Sequence, residues 1–201
     1  MKTFIWDLDG TLINSYPILL KSLEETFEHF EVPYEINEVR KVVLNQSVVN
    51  LLKQTSADYN VKYEEVKILF SDKLRSKNKE IKLMDGALEV LNWTMEKGIE
   101  NYIYTHKSKN AIEILSRLRI EKYFSEVVTS SNGFQRKPHS EGIEYLMNKY
   151  QLEKDHTYYI GDRNLDVEVA INANIKSINL TQPSSEINVN ISKLTDIYAL
   201  F

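Results

Sequence analysis

Two aspartates two positions apart, Asp7 and Asp9, close the apolar run Phe4-Ile5-Trp6 near the start of the chain and are followed by Gly10-Thr11-Leu12-Ile13-Asn14. Alternate residues of a strand point to one face, so both carboxylates can converge on a single substrate if the strand ends beside them. Gly10 supplies the turn, and in open α/β sheets ligands bind just beyond such strand ends. Asp7 and Asp9 therefore read as a catalytic pair. The plain alternative is a strand end carrying two solvated acids.

Three later segments offer complementary chemistry. Tyr102-Ile103-Tyr104-Thr105 reads as a strand ending in a hydroxyl, with His106-Lys107-Ser108 opening a helix. Unpaired N–H groups and the dipole at a helix start favour an anion, although Thr105 taken alone reads equally as an N-cap. Lys137, in Arg136-Lys137-Pro138, precedes another helix, where a solvated surface lysine is the commoner fate. Tyr158-Tyr159-Ile160-Gly161-Asp162 ends a strand in a third carboxylate, and Asp166 follows one helical turn on. Mg²⁺ takes hard oxygen ligands, which Asp162 and Asp166 can supply or orient, while Asp166 by itself is an ordinary acid of a first helical turn.

In their order along the chain these segments resemble the four motifs of the haloacid dehalogenase superfamily, whose first motif is Asp-x-Asp-Gly-Thr. The Asp-Gly-Thr-Leu sequence is closest to phosphoglycolate-phosphatase-like members. The resemblance implies Asp7 as nucleophile and Asp9 as general acid and base. It implies Thr105, His106 and Lys137 as phosphate-binding residues, and Mg²⁺ held by Asp7, the backbone carbonyl of Asp9 and Asp162, with Asp166 in support. The expected reaction is hydrolysis of a small phosphate monoester through an aspartyl-phosphate. A β-phosphoglucomutase-like phosphotransferase and a catalytically silent binding protein of the same fold are the alternatives. Many relatives carry Asn where this chain has His106, and Asp where it has Asn14.

The elements that must position these groups fall into two kinds. After the first strand, helical periodicity runs over 17–30, over 36–52 with an interruption at Asn45-Gln46-Ser47, and over 63–74, with no convincing strand between. From Asp85 onward helices alternate with short strands rich in aromatic and β-branched residues: strands at 100–104, 127–128, 157–160 and 175–180, helices at 87–97, 108–118, 140–150 and 165–172. This predicts an α/β fold with a doubly wound, mainly parallel sheet, residues 1–14 and 82–201, and an inserted all-α cap, residues 15–81. The tail after Pro183 suggests only one short helix. The interruption in the cap marks Asn45 and Gln46, with Arg40 about one turn earlier, as candidate specificity residues; a polar surface connection is the alternative.

Composition narrows the partners. With 201 residues the chain can bury a real core, and 42% hydrophobic with 27% charged residues argues against long disorder. The absence of cysteine excludes disulfides, thiolate nucleophiles and Cys-ligated zinc. A net charge of -4 with scattered Lys and Arg gives no reason to expect nucleic acid. No apolar run suits a secretory leader or a membrane span. The expected partner is a small phosphorylated metabolite, for a cytoplasmic protein that is a monomer or weak homodimer.

Overall fold

The computed structural model describes residues 2–201. In chain order the strands are β1 (Thr3–Trp6), β2 (Ile13–Asn14), β3 (Lys82–Leu83), β4 (Glu100–Tyr104), β5 (Glu126–Val128), β6 (Thr157–Gly161), β7 (Lys176–Asn179) and β8 (Asn188–Asn190). The helices are α1 (Tyr16–His29), α2 (Ile36–Asn45), α3 (Val48–Asp58), α4 (Tyr63–Ser76), α5 (Ala87–Glu96), α6 (Asn110–Arg117), α7 (Glu141–Tyr150) and α8 (Asn164–Asn172). Two compact units result: residues up to Asn14 joined with Lys82–Phe201, and Ser15–Ile81.

The first unit is built on a six-stranded parallel sheet in the order β5-β4-β1-β6-β7-β8. All four residues of β1 are buried, as a strand covered on both faces requires. A buried indole needs an acceptor, and Trp6 Nε1 finds one in Asn101 Oδ1 at 2.8 Å; Asn101 Nδ2 then donates to Thr94 Oγ1 at 2.7 Å. From β1 the chain builds outward through β4 and β5, then returns to the other side of β1 with β6, β7 and β8. The order reverses between β1 and β6. The core against this sheet includes Ile5, Tyr102, Tyr104, Val128, Ile143, Leu146, Tyr159 and Val169.

The second unit is helical. The stripe Leu20, Leu23 and Phe27 of α1 packs with Val39 and Val43 of α2, Leu52 of α3, and Val66 and Phe70 of α4. Two of its buried hydroxyls bond back within α1: Ser22 donates to the Ile18 carbonyl at 2.8 Å and Thr26 to that of Ser22 at 2.7 Å. The interruption in periodicity is a true break, because Gln46 is extended and Ser47 caps α3 by accepting from Asn50 N–H at 3.1 Å.

Three features differ from the sequence expectations. The antiparallel pair β2–β3 is too short to leave a period of two in the sequence. The tail supplies the edge strand β8 before a 3-10 helix, Leu194–Leu200, rather than a helix alone. Helix α6 starts at Asn110, so Thr105 is not its N-cap. Among the described residues no helix is long and apolar enough to cross a membrane.

Candidate active site

The crevice beyond the strand ends at a reversal of strand order is where open α/β sheets bind ligands. Here that place lies between β1 and β6, and each strand is followed at once by an aspartate, Asp7 and Asp162. Asp7 N–H still donates to the Ile160 carbonyl at 2.8 Å, so its backbone is fixed by the sheet. Beyond it the chain leaves the sheet in a helical turn, with the N–H groups of Leu12 and Ile13 both reaching the Leu8 carbonyl at 3.0 Å. Gly10, at φ 84°, takes the left-handed conformation that glycine adopts without penalty. Strand β1 stops at Trp6, so Asp9 is placed by this turn and not by alternation along a strand.

Lys137 is the hub of the buried chemistry. Its Nζ donates to Asp7 Oδ1 at 2.7 Å, Asp166 Oδ1 at 2.7 Å and Tyr159 Oη at 2.9 Å, which occupies the three protons of an ammonium. The Tyr159 hydroxyl in turn donates to the Tyr104 carbonyl at 2.7 Å. Burial alone pulls a lysine down, but the Asp166 and Asp7 carboxylates outweigh it and hold Lys137 protonated well above the usual lysine range. With its protons on protein oxygens, Lys137 acts here as a fixed charge. The neighbouring Arg136 is exposed.

Asp166 organises the end of β6. Its Oδ2 accepts from the N–H groups of Asp162 at 3.2 Å and Arg163 at 3.0 Å, while Oδ1 takes Lys137. This close approach requires Gly161, because a Cβ there would lie 2.4 Å from the Asp166 side chain. Asp162 is steadied from two further sides. Thr11 Oγ1 donates to its Oδ1 at 3.4 Å, and Thr181 Oγ1 to its carbonyl at 2.5 Å.

Asp7, Asp162 and Asp166 are all buried, and each offers a carboxylate oxygen within 4.8 Å of the others. Burial pushes the Asp7 carboxyl up to about 8 against the opposing pull of Lys137, and repulsion from Asp166 and Asp162 acts in the same direction as burial. A buried, oxygen-only donor set with such mutual repulsion fits a hard divalent cation, whose charge would relieve it. The Asp9 carboxylate lies outside this group and pairs with Lys107 Nζ at 2.8 Å.

The loop after β4 contributes Thr105, His106 and Lys107. Thr105 is buried, and its Oγ1 accepts from Lys107 N–H at 3.1 Å, an arrangement that leaves the hydroxyl proton able to donate to a ligand. His106 Nε2 accepts from the Lys137 backbone N–H at 2.8 Å, so the ring proton sits on Nδ1. Burial, reinforced by the Lys137, Arg136 and Arg163 charges, lowers the imidazole to about 2, so the ring stays neutral. Its side chain ties the Lys137 loop to the Thr105 loop and carries no charge for an anion.

Arg40, Asn45 and Gln46 belong to the helical unit, where all three are exposed. Asn45 Nδ2 is turned back onto the Lys41 carbonyl at 2.8 Å. Sequence reasoning assigns no role to Lys107, Tyr159, Thr11 or Thr181. Tyr159 is hidden because its position on β6 reads as ordinary core, and Lys107, Thr11 and Thr181 meet partners 98, 151 and 19 positions away in sequence. The one available signal was Lys107, two residues after Thr105 in a segment already marked for anion chemistry.

Comparison with known proteins identifies the family. The chain matches the model of the haloacid dehalogenase-like hydrolase family over residues 4–180. It is 28% identical to a phosphoglycolate phosphatase of Vibrio parahaemolyticus, covering 90% of this chain and 84% of the relative. It is 24% identical to the pyrophosphatase PpaX of Oceanobacillus iheyensis, covering 88% and 82%. The crystal structure of a phosphoglycolate phosphatase, so designated by prediction, from Haemophilus somnus superposes with a TM-score of 0.85 at 20% identity, over 100% of this chain and 97% of that one, which speaks for the fold. With the family match running from β1 through β7, the chain belongs to the haloacid dehalogenase-like hydrolases.

Proposed function

We propose that this hydrolase is a Mg²⁺-dependent phosphatase that cleaves a small phosphate monoester through a phosphorylated Asp7. The observation that carries the reading is the placement of Asp7. Its carboxylate follows the central strand, is held by Lys137 Nζ at 2.7 Å, and shares an oxygen cluster with Asp162 and Asp166. Relatives named phosphoglycolate phosphatase and pyrophosphatase support phosphoryl chemistry.

In the first step an Asp7 oxygen attacks phosphorus, the bond to the ester oxygen breaks, and Asp9 gives its proton to the departing alkoxide. In the second, a water that yields a proton to Asp9 attacks the phosphorus of the acyl phosphate, releasing phosphate and restoring Asp7. The Thr105 hydroxyl donates to a phosphoryl oxygen, and Lys137 contributes a fixed positive charge to a reaction that consists mainly of positioning and charge stabilisation. Asp7, Asp162 and the backbone carbonyl of Asp9 would hold the metal. When bound, Mg²⁺ supplies the charge that keeps Asp7 ionised and neutralises phosphoryl oxygens.

Residues 15–81 serve in this reading as a cap that selects the leaving group, with Arg40, Asn45 and Gln46 as its candidate specificity residues. Turnover of p-nitrophenyl phosphate and a panel of phosphorylated metabolites tests the reading. Hydrolysis with Mg²⁺ that stops on chelation is expected. Absence of turnover across the panel would favour a silent binding protein and overturn it.

A further inference from the structure

We propose that Lys107 forms a subsite for a second anionic group on the substrate, so that the preferred leaving group carries a carboxylate or phosphate close to its ester oxygen. This rests on the roles of Asp7 and Asp9 proposed above.

Lys107 lies in a fixed loop. Its N–H donates to Thr105 Oγ1 at 3.1 Å and its carbonyl accepts from Ser130 N–H at 3.0 Å, so the backbone is pinned to the ends of β4 and β5. Its side chain is only 10% exposed and extends to Asp9, 98 positions away in sequence, at 2.8 Å. Lysine is seldom withdrawn from water to this degree without a purpose for its charge. Asp9 is the residue that meets the leaving-group oxygen, so an ammonium bonded to Asp9 sits within one or two atoms of whatever that oxygen carries.

The other lysine of the site cannot serve the same end. Lys137 has its three protons on Asp7, Asp166 and Tyr159. Lys107 makes one bond to Asp9, and an ammonium with three protons can keep that bond while donating to an incoming anion. The surroundings also need positive charge. Asp7, Asp9 and Asp162 would adjoin the phosphoryl dianion, and a second anion on the leaving group would be repelled unless a cation stood on its side of the site. A neutral leaving group gains nothing from Lys107, which then remains on Asp9.

The test compares 2-phosphoglycolate with ethyl phosphate, in which a methyl group replaces the carboxylate, and uses inorganic pyrophosphate as a separate arm for a phosphate as second anion. Lys107→Met and Lys107→Gln remove the charge, and Lys107→Arg keeps it. The two uncharged variants are expected to lower the ratio of kcat/KM for the anionic substrate over ethyl phosphate by about 10- to 100-fold, mostly through KM, because a charged hydrogen bond is lost for one substrate only. Lys107→Arg should hold the ratio near that of the unaltered protein. Loss in the 2-phosphoglycolate arm assigns the anion as a carboxylate, and loss in the pyrophosphate arm as a phosphate. If the unaltered protein turns over these substrates while Lys107→Met and Lys107→Gln slow all of them equally, Lys107 only supports Asp9 and the subsite is refuted alone. If the unaltered protein hydrolyses none of them, nor p-nitrophenyl phosphate, the phosphatase reading falls and the subsite with it.

Discussion

Asp7 shows how far a site residue can be held from its ordinary state. Burial and the nearby Asp166 and Asp162 raise its carboxyl to about 8 in the metal-free protein, against an unfolded value of 3.8. Folded protein therefore binds a proton more tightly than unfolded chain, and by linkage stability is lost as pH rises between those two values. Asp7→Asn removes the charge without changing the shape. It should raise the thermal midpoint of metal-free protein at pH 8 and have little effect at pH 4, as calorimetry at the two pH values would record. An equal shift at both would mean that Asp7 carries no such penalty. His106 makes the complementary case. Because its ring stays neutral down to about pH 2, it supplies no inflection to the pH profile of kcat between pH 5 and 8. His106→Ala should leave that profile unchanged in shape while costing about 1–3 kcal/mol in denaturant unfolding, since the buried Lys137 N–H loses its acceptor. A profile that changes shape in the variant would show that the imidazole titrates.

The elements that place the site are the ends of β1 and β6 and the starts of the segments after β4 and before α7. Much of this was legible. The apolar run before Asp7, the aromatic run before Thr105 and the Gly161-Asp162 step each read as strand ends, because parallel strands covered on both faces leave continuous hydrophobic stretches. The exact stopping point of β1 was not legible, since Asp7 keeps a sheet hydrogen bond while Asp9 lies in a turn closed by the Leu12 and Ile13 N–H groups on the Leu8 carbonyl, which no period in the sequence marks. Nor was the tyrosine partner of Lys137, Tyr159, because a tyrosine in a strand reads as core whether or not its hydroxyl is used. The glycine of β6 carries an element-scale test. A Cβ at Gly161 would drive the Asp166 carboxylate from Asp162, Arg163 and Lys137 together. Gly161→Ala should destabilise by about 1–3 kcal/mol, the usual cost of forcing extra volume into a packed site, and depress kcat more than KM. Unaltered kcat would show that Asp166 is dispensable for positioning.

At the scale of the whole molecule, one unit gathers buried carboxylates that repel one another and the other is a helical bundle with its own core. The acidic cluster makes metal binding a stability event. A ligand that binds only folded protein stabilises it by about 2.7 kcal/mol at a hundredfold excess over Kd, so Mg²⁺ should raise the thermal midpoint of the unaltered protein and much less that of Asp162→Asn. Equal shifts would place the ion elsewhere. In the sequence, helical periodicity gives way to alternating helix and strand near Asp85. The selectivity proposed for the helical unit has no comparable signature, because Arg40, Asn45 and Gln46 are exposed polar residues whose sequence pattern equally suits a solvated surface. The claim on which the rest depends is that Asp7 is the nucleophile. Mg²⁺-dependent hydrolysis of p-nitrophenyl phosphate by the unaltered protein and by Asp7→Asn tests it most directly. A loss of at least about 10³-fold in kcat is expected, since an amide cannot replace an attacking carboxylate. Asp7→Asn turnover within about tenfold of the unaltered rate, a barrier change of only about 1.4 kcal/mol, would contradict it.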